Sequence, residues 1–349
     1  MYRQFISFVA MSAANSAFAL SATLTDLGTV SKVDSYSIGV DLNNQGTVVG
    51  SSGNTTPAPS AIWEGGTLRQ ISPANPFLSL VAVNDHGQIA GTSPVSGMAR
   101  SAILMEGSSV VYLGAINGGG YSEAADINNL GHIVGQASFN PGTVAPEHGF
   151  LWTGGAMTDM GEFRPQAIND ADISVGTIGS DGRLSAAMWA NGTISVLNPS
   201  VGSAYGKALD INTVGAVVGN SYRLSNGLSG YEIDQATLWV DGKAVPLISD
   251  VGINSFATGI NDFGQIVGNM QDRSWYGSES NYRAFLWQND EIIDLDQLVS
   301  SSNPGWHIQR AAAINNRGQI LAQGTFSGGQ SHAVLISLHP YPSPQQTSC

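Results

Sequence analysis

The stretch ATGINDFGQIVG, Ala257 to Gly268, sets an Asn-Asp pair, a Gly and a second apolar run behind a short apolar lead within twelve residues. Nearly the same phrase occurs seven times. Aligned on its Asn, it reads DLNNQGTVVG at Asn43, AVNDHGQIAG at Asn84, DINNLGHIVG at Asn128 and AINDADISVG at Asn169. The remaining copies are DINTVGAVVG at Asn212, GINDFGQIVG at Asn261 and AINNRGQILA at Asn315. Successive Asn residues are 41, 44, 41, 43, 49 and 54 positions apart. That period belongs to propellers and helical arrays and is long for one rung of a β-helix.

Each copy parses into four short strands. The first ends at the apolar residue before Asn, and the second is the VVG or IVG run after Gly. The third is SAIW, SAIL, GFLW, AAMW, ATLW, AFLW or HAVLI, with Trp63, Trp152, Trp189, Trp239 and Trp287 at its key position. The fourth is TLRQI, VVYL, AMTDM, TISVL, KAVPL or EIIDL. Sustained helical periodicity is absent, which argues against helical repeat arrays. In the phrase itself, Asn suits the first position of a type I turn because its side chain bonds nearby amides, and Gly falls where the hairpin needs a left-handed residue. Asp172 takes that glycine position in the fourth copy.

The seventh copy lacks a fourth strand, because after HAVLIS the chain runs into LHPYPSP. At the other end, ATLTDLG (Ala22 to Gly28) precedes the first copy and matches AMTDMG (Ala156 to Gly161). Pairing the N-terminal strand into the last sheet removes both anomalies and both sticky edges. The expected fold is therefore all-β, a seven-bladed β-propeller of four-stranded antiparallel blades spanning residues 20–339. The 349-residue length alone would suggest two or three domains, and the repetition overrides that prior.

Composition agrees. Charged residues make up 11% and Gly numbers 43, which favours turn-rich β structure over long amphipathic helices. The formal charge of −13 makes nucleic acid and anionic membrane surfaces poor partners. Residues 1–19 read as a secretory signal: Arg3 supplies positive charge, Phe5 to Ala14 an apolar stretch, and Ala17-Phe18-Ala19 a small-x-small cleavage site. Its removal leaves 12 basic against 26 acidic residues, a net −14. No other run is long enough for a transmembrane helix, so no membrane insertion of the mature chain is expected. The single cysteine, Cys349, excludes an internal disulfide, and residues 340–349 have the composition of a disordered tail.

The elements HGFLW (His148 to Trp152), HAVLI (His332 to Ile336), AFLWQNDEIIDL and the A-x-x-IN-x-x-G-x-VVG frame resemble the HAF family of extracellular repeats, named for a His-Ala-Phe signature. The resemblance runs over roughly residues 22 to 337. Leu104 and Ile336 depart from it by replacing the Trp, and His precedes only two of the third strands. The resemblance implies an exported bacterial protein and supplies no catalytic residues.

Candidate binding residues come from loop lengths. From Asn to the Trp-equivalent position the seven copies count 20, 20, 24, 20, 27, 26 and 21 residues, so blades three, five and six carry insertions between their second and third strands. The insertions of blades five and six bring Tyr222, Arg223, Tyr231, Glu232, Asp272, Trp275, Tyr276, Tyr282 and Arg283 to one face, and Trp306 with His307 joins them from an inter-blade connection. Flat aromatic area beside directional polar groups suits a sugar or a protein surface. The alternative is that these aromatics cap their own blades.

Asp41, Asp126 and Asp210 lie two residues before the Asn in blades one, three and five. They could draw a cation such as calcium into the central channel, or they hydrogen-bond backbone between blades, the more usual fate of buried acids. No cofactor is otherwise expected. Catalytic signatures are missing: there is no Gly-x-Ser-x-Gly, no His-Glu-x-x-His, no phosphate loop and no Cys nucleophile in the body. His148 and His332 open third strands and read as structural, leaving His307 as the one histidine to consider for acid-base work. The sequence thus predicts a secreted, extracellular or periplasmic module that binds extracellular carbohydrate or protein without catalysis. The competing readings are a polysaccharide lyase or glycoside hydrolase acting through carboxylates or His on the loop-rich face, and a purely structural surface protein.

Overall fold

The computed structural model describes residues 20–55, 57–71, 78–95, 98–140, 148–179, 183–224, 232–250, 253–272 and 282–339. These form seven four-stranded antiparallel sheets, each built from consecutive strands except the last. Blade one comprises Ser37–Leu42, Val48–Ser52, Ser60–Glu64 and Thr67–Gln70, and blade five Tyr205–Ile211, Val217–Leu224, Glu232–Val240 and Lys243–Pro246. Blade seven takes Trp306–Ile314, Gln319–Phe326 and Gln330–His339 from the C-terminal end, and its outer strand is Ser21–Asp26 from the N-terminal end. That strand runs antiparallel to its neighbour from Ser21 opposite His339 to Asp26 opposite Val334. The chain is a closed seven-bladed β-propeller.

The apolar core lies between adjacent sheets. Val218 and Ala236 of blade five pack with Ile266 and Phe285 of blade six, and Trp239 of blade five packs with Ala167 and Ala186 of blade four. Alternation in each strand puts one apolar set on either side of its blade. Trp63, Trp152, Trp189 and Trp239 are buried, and Trp287 is partly buried. The indole N–H groups of Trp63 and Trp239 donate to the carbonyls of Leu27 and Asn198, both at 2.7 Å, so the polar edge of each ring is satisfied by the segment that leaves the outer strand of the preceding blade.

A bulge marks every innermost strand one residue before the position occupied by Asp41, Asp126 or Asp210, and its counterparts occur in the other blades. The Gly of the VVG phrase faces this bulge. A Cβ on Gly50, Gly135, Gly176 or Gly219 would stand 2.0 Å from the carbonyl oxygen of Ile38, Glu123, Arg164 or Lys207 respectively. Blade seven has Ala322 at this place, and its inner strand carries a second register shift, between Ile308 and Arg310, beside it. The extra bulge moves the inner strand away from the methyl group that six glycines avoid.

One element was not expected. The connection from blade six to blade seven begins with a short helix, Leu295–Ser300, capped by Asp294, whose carboxylate accepts from the backbone N–H groups of Asp296 and Gln297. Leu295 and Val299 are fully buried in the core between the two blades. Asp294 ahead of apolar residues four apart was the readable signal.

Candidate functional site

The turns gather at one end of the channel. Six of the seven Asn side chains accept two backbone N–H groups on Oδ1, as Asn43 does from Gln45 and Thr47 at 3.0 and 2.9 Å, and Asn212 accepts one, from Ala216 at 2.9 Å. The glycine positions take φ from 70° to 86°, and Asp172 takes 56°. The side-chain amides do more. Nδ2 of Asn43 donates to the carbonyl of Asn84, Asn84 to Asn128, Asn128 to Asn169, Asn169 to Asn212, Asn212 to Asn261, Asn261 to Asn315 and Asn315 back to Asn43, over 2.8–3.2 Å. Seven buried side chains form an unbroken ring that joins every blade to the next.

Carboxylates are distributed round this ring by a rule. Asp41, Asp126 and Asp210 serve blades one, three and five, and Asp85, Asp170 and Asp262, just after the Asn, serve blades two, four and six. No blade has both, and blade seven, with Ala313 and Asn316, has neither. The inner three each bridge two blades: Oδ2 accepts the backbone N–H of Val83, Ile168 or Ile260 in the following blade at 2.8 Å. On the other oxygen, Asp126 and Asp210 accept from Ile127 and Ile211 at 2.7 Å, and Leu42 donates to Asp41. The outer three accept from the preceding turn's counterpart, as Asp85 does from Asn44 N–H at 2.7 Å and Asp262 from Thr213 N–H at 2.9 Å.

Burial pushes all three inner carboxyls up. Asp126 rises well above the ordinary carboxylate range, with the charge of Asp41 adding to burial, and Asp210 is pushed up to about 7. Asp41 is raised chiefly by burial, partly offset by its two amide donors. Among the described residues no group of three or more His, Cys, Asp or Glu side chains stands where it could hold a metal ion. In this geometry each of the three carboxylates hydrogen-bonds backbone between blades.

The opposite end differs. Five residues before each Asn, the inner strand carries Ile38, Ser79, Glu123, Arg164, Lys207, Phe256 and Arg310, none of them buried. On blades five and six, joined by Leu184 of blade four, a pocket of 410 Å³ is lined by Lys207, Leu209, Asn220, Tyr222, Asp234 and Phe256. Lys207 Nζ stands 5.4 Å from the centre of the Tyr222 ring, and Asn220 donates to Asp234 at 2.8 Å. Phe256 meets Tyr282 edge to face at 6.0 Å, and the Arg310 guanidinium lies 4.8 Å over Tyr282. A continuous stripe of aromatic rings and cations therefore crosses from blade five to blade seven.

Of the residues expected at this face, Tyr222 and Tyr282 are in that stripe. Tyr222 is only 7% exposed, so it is as much a cap on its own blade as a contact surface, and burial raises its hydroxyl pKa. Arg283 pairs instead with Asp294 of its own blade at 3.3 Å. Trp306 turns inward, tilted on Phe326 at 5.3 Å and covering Gly324. His307 points the other way, largely exposed, 3.5 Å from Asp296. Strand alternation separates the two neighbours, so they make no joint site. Arg223 and Asp272 fall at strand ends, while Tyr231, Trp275 and Tyr276 lie outside the described residues. Sequence reading missed Lys207, Phe256 and Arg310, although their fixed offset from Asn was a signal that could have found them.

The histidines of third strands are locks. His148 Nδ1 lies 2.8 Å from Asp159, and His332 Nδ1 lies 3.0 Å from Asp26, in each case joining a third strand to a fourth. The match between AMTDMG and ATLTDLG is thus also chemical.

A family described as "Protein of unknown function (DUF3466)" matches residues 180–335, from the third strand of blade four through blades five and six into the third strand of blade seven. No curated protein matches the sequence. Among solved structures, the chain is similar to the β-propeller domain of the trilobed protease from Pyrococcus furiosus, at TM-score 0.57 and 10% identity over 91% of this chain and 100% of that one. It is also similar to the acylaminoacyl peptidase from Pyrococcus horikoshii, at TM-score 0.59 and 12% identity over 91% of this chain and 54% of that one. This chain spans about half the length of that peptidase chain. The likeness is one of fold alone.

Among the described residues no helix is long and apolar enough to cross a membrane. Chemically, the acidic end is a closed hydrogen-bond network, and the end bearing the stripe offers ring faces, amides, a carboxylate and cations in a concave setting.

Proposed function

We propose that the protein is an exported, non-catalytic binding module whose ligand is an extracellular glycan. The observation that carries this reading is the 410 Å³ pocket on blades five and six, where the rings of Tyr222 and Phe256 stand beside Lys207, Asn220 and Asp234. Pockets of a few hundred cubic ångströms with ring faces and a few directional polar groups take one or two sugar units, the rings covering C–H faces and the polar groups fixing hydroxyls. By residue count the segments joining second to third strands are longest in blades five and six. Export is supported by Arg3, the apolar stretch Phe5 to Ala14 and the Ala17-Phe18-Ala19 pattern.

A glycan array probed with the chain from Leu20 onward tests the reading. Selective retention of a glycan set, lost in Phe256→Ala at an unchanged thermal midpoint, supports it. Absence of any retained glycan, or equal retention by the variant, sinks it. Glycans recovered in shortened form would replace the binding module with an enzyme.

A further inference from the structure

We infer that the ligand of this face is anionic, a glycan whose sugar carries a carboxylate, held between Lys207 and Arg310 across the Phe256 ring. The inference rests on the glycan-binding reading and adds its charge class.

The argument begins with where the few cations are. The chain has 13 basic residues against 26 acidic ones, yet Arg164, Lys207 and Arg310 take three of the seven equivalent inner-strand positions. Blade six, between Lys207 and Arg310, supplies Phe256 at that position, so a cation flanks an aromatic ring on either side. Arg310 is exposed, and among the described residues no carboxylate lies within ion-pair distance of it. Its guanidinium is stacked 4.8 Å over Tyr282, which is itself held edge to face by Phe256.

Stacking one face of a guanidinium on a ring satisfies its flat side and leaves its N–H edge directed outward. That edge matches a carboxylate with two parallel hydrogen bonds. A lysine on the far side adds a point charge without demanding geometry. Between them, Phe256 suits the C–H face of a sugar ring, and Asp234 with Asn220 gives acceptor and donor capacity for hydroxyls. The opposite end of the channel adds to the preference, because its outer carboxylates, Asp85, Asp170 and Asp262, disfavour an anion there and leave the stripe as the favoured end.

The test is titration calorimetry of the chain from Leu20 onward with a panel of uronate oligosaccharides, their carboxyl-reduced neutral counterparts and sulfated oligosaccharides of the same length. Uronates are expected to bind at least ten times more tightly than the reduced forms, with affinity falling as salt rises. Arg310→Gln should lower uronate affinity at least tenfold, lower affinity for the reduced forms much less and keep the thermal midpoint, and Lys207→Gln should act in the same direction. Equal affinity for charged and reduced forms overturns the inference while leaving the glycan-binding reading intact. Preference for sulfated over carboxylated sugars overturns the assignment of a carboxylate. Failure of every oligosaccharide to bind removes the glycan-binding reading and the inference with it.

Discussion

The side-chain amide of Asn315 donates to the carbonyl oxygen of Asn43 at 2.9 Å, joining residues 272 positions apart and closing a ring of seven such bonds. The same Asn315 accepts the amides of Arg317 and Gln319 on its Oδ1. One residue type therefore builds the turn and fastens it to the next blade. Nδ2 of Asn315 also donates to Gln319 Oε1, so truncation here loses four hydrogen bonds, each worth about 1 kcal/mol net when buried.

Asn315→Ala is expected to lower unfolding stability by roughly 2–4 kcal/mol. Asn315→Asp keeps both acceptor bonds and loses the two donor bonds, to the Asn43 carbonyl and Gln319 Oε1, so the difference between the two variants reports the turn bonds and the deficit of Asn315→Asp reports the donors. Urea denaturation of both variants checks this. Equal stability of Asn315→Ala and the parent would show that the ring contributes nothing.

Removal of Ala22 to Gly28 strips the outer strand from blade seven. It exposes the edge of Gln330–His339, breaks the His332 to Asp26 contact and takes away the Leu27 carbonyl that receives the Trp63 indole. Loss of a paired strand and of the burial of Ala22 should cost at least about 3 kcal/mol and leave an edge prone to association. Thermal melting and light scattering of the truncated protein, compared with the chain from Leu20 onward, decide it. An unchanged midpoint with no association would refute closure as a source of stability.

Gly176 faces the Arg164 carbonyl so closely that a Cβ would stand 2.0 Å from the oxygen. Gly176→Ala should therefore cost about 1–3 kcal/mol through forced backbone displacement. In blade seven the second bulge already accommodates the methyl of Ala322, so Ala322→Gly relieves no clash and costs up to about 1 kcal/mol in backbone entropy. If the two substitutions were equally mild, the link between the glycine and the single-bulge inner strand would be wrong.

These cases show what a single repeat can and cannot disclose. The turn, the four strands and the matching ends ATLTDLG and AMTDMG are local patterns, and a closed ring follows from their count and order. The Asn ring is not local. Nothing within one copy states that Nδ2 of Asn128 reaches the carbonyl of Asn169, because that partner is set by how neighbouring sheets are inclined. The alternation of Asp before and after the Asn was visible as letters, from DLNN and AVND onward, but its meaning needs the ring. Aromatic residues misled in part: Trp306 and Tyr222 sit at the loop-rich face, yet blade packing claims much of each ring. Lys207, Phe256 and Arg310 share an offset from Asn, and only the inner strand's place on the channel makes that offset important.

The three inner carboxyls make stability depend on pH in an unusual direction. Asp210 is pushed up to about 7 by burial, while an Asp in an unfolded chain titrates near about 3.9. Between these values the folded protein holds more protons than the unfolded chain, so stability falls as pH rises through the window from about 4 to about 7. Asp41 and Asp126 are raised as well and act in the same sense. The stabilising contribution is complete below about pH 4 and lost above about pH 7, the reverse of an ordinary ion-paired Asp. In Asp210→Asn the side chain cannot accept both the Ile211 and Ile260 amides, so the variant should be less stable than the parent at pH 5. That deficit should shrink by on the order of 2 kcal/mol by pH 8, allowing for the part of the carboxyl that faces the channel. Urea denaturation of parent and variant at pH 5, 6, 7 and 8 measures the difference with all other titrating groups held in common. A deficit that stays constant across this range would mean that Asp210 is ionised throughout, its amide donors outweighing its burial.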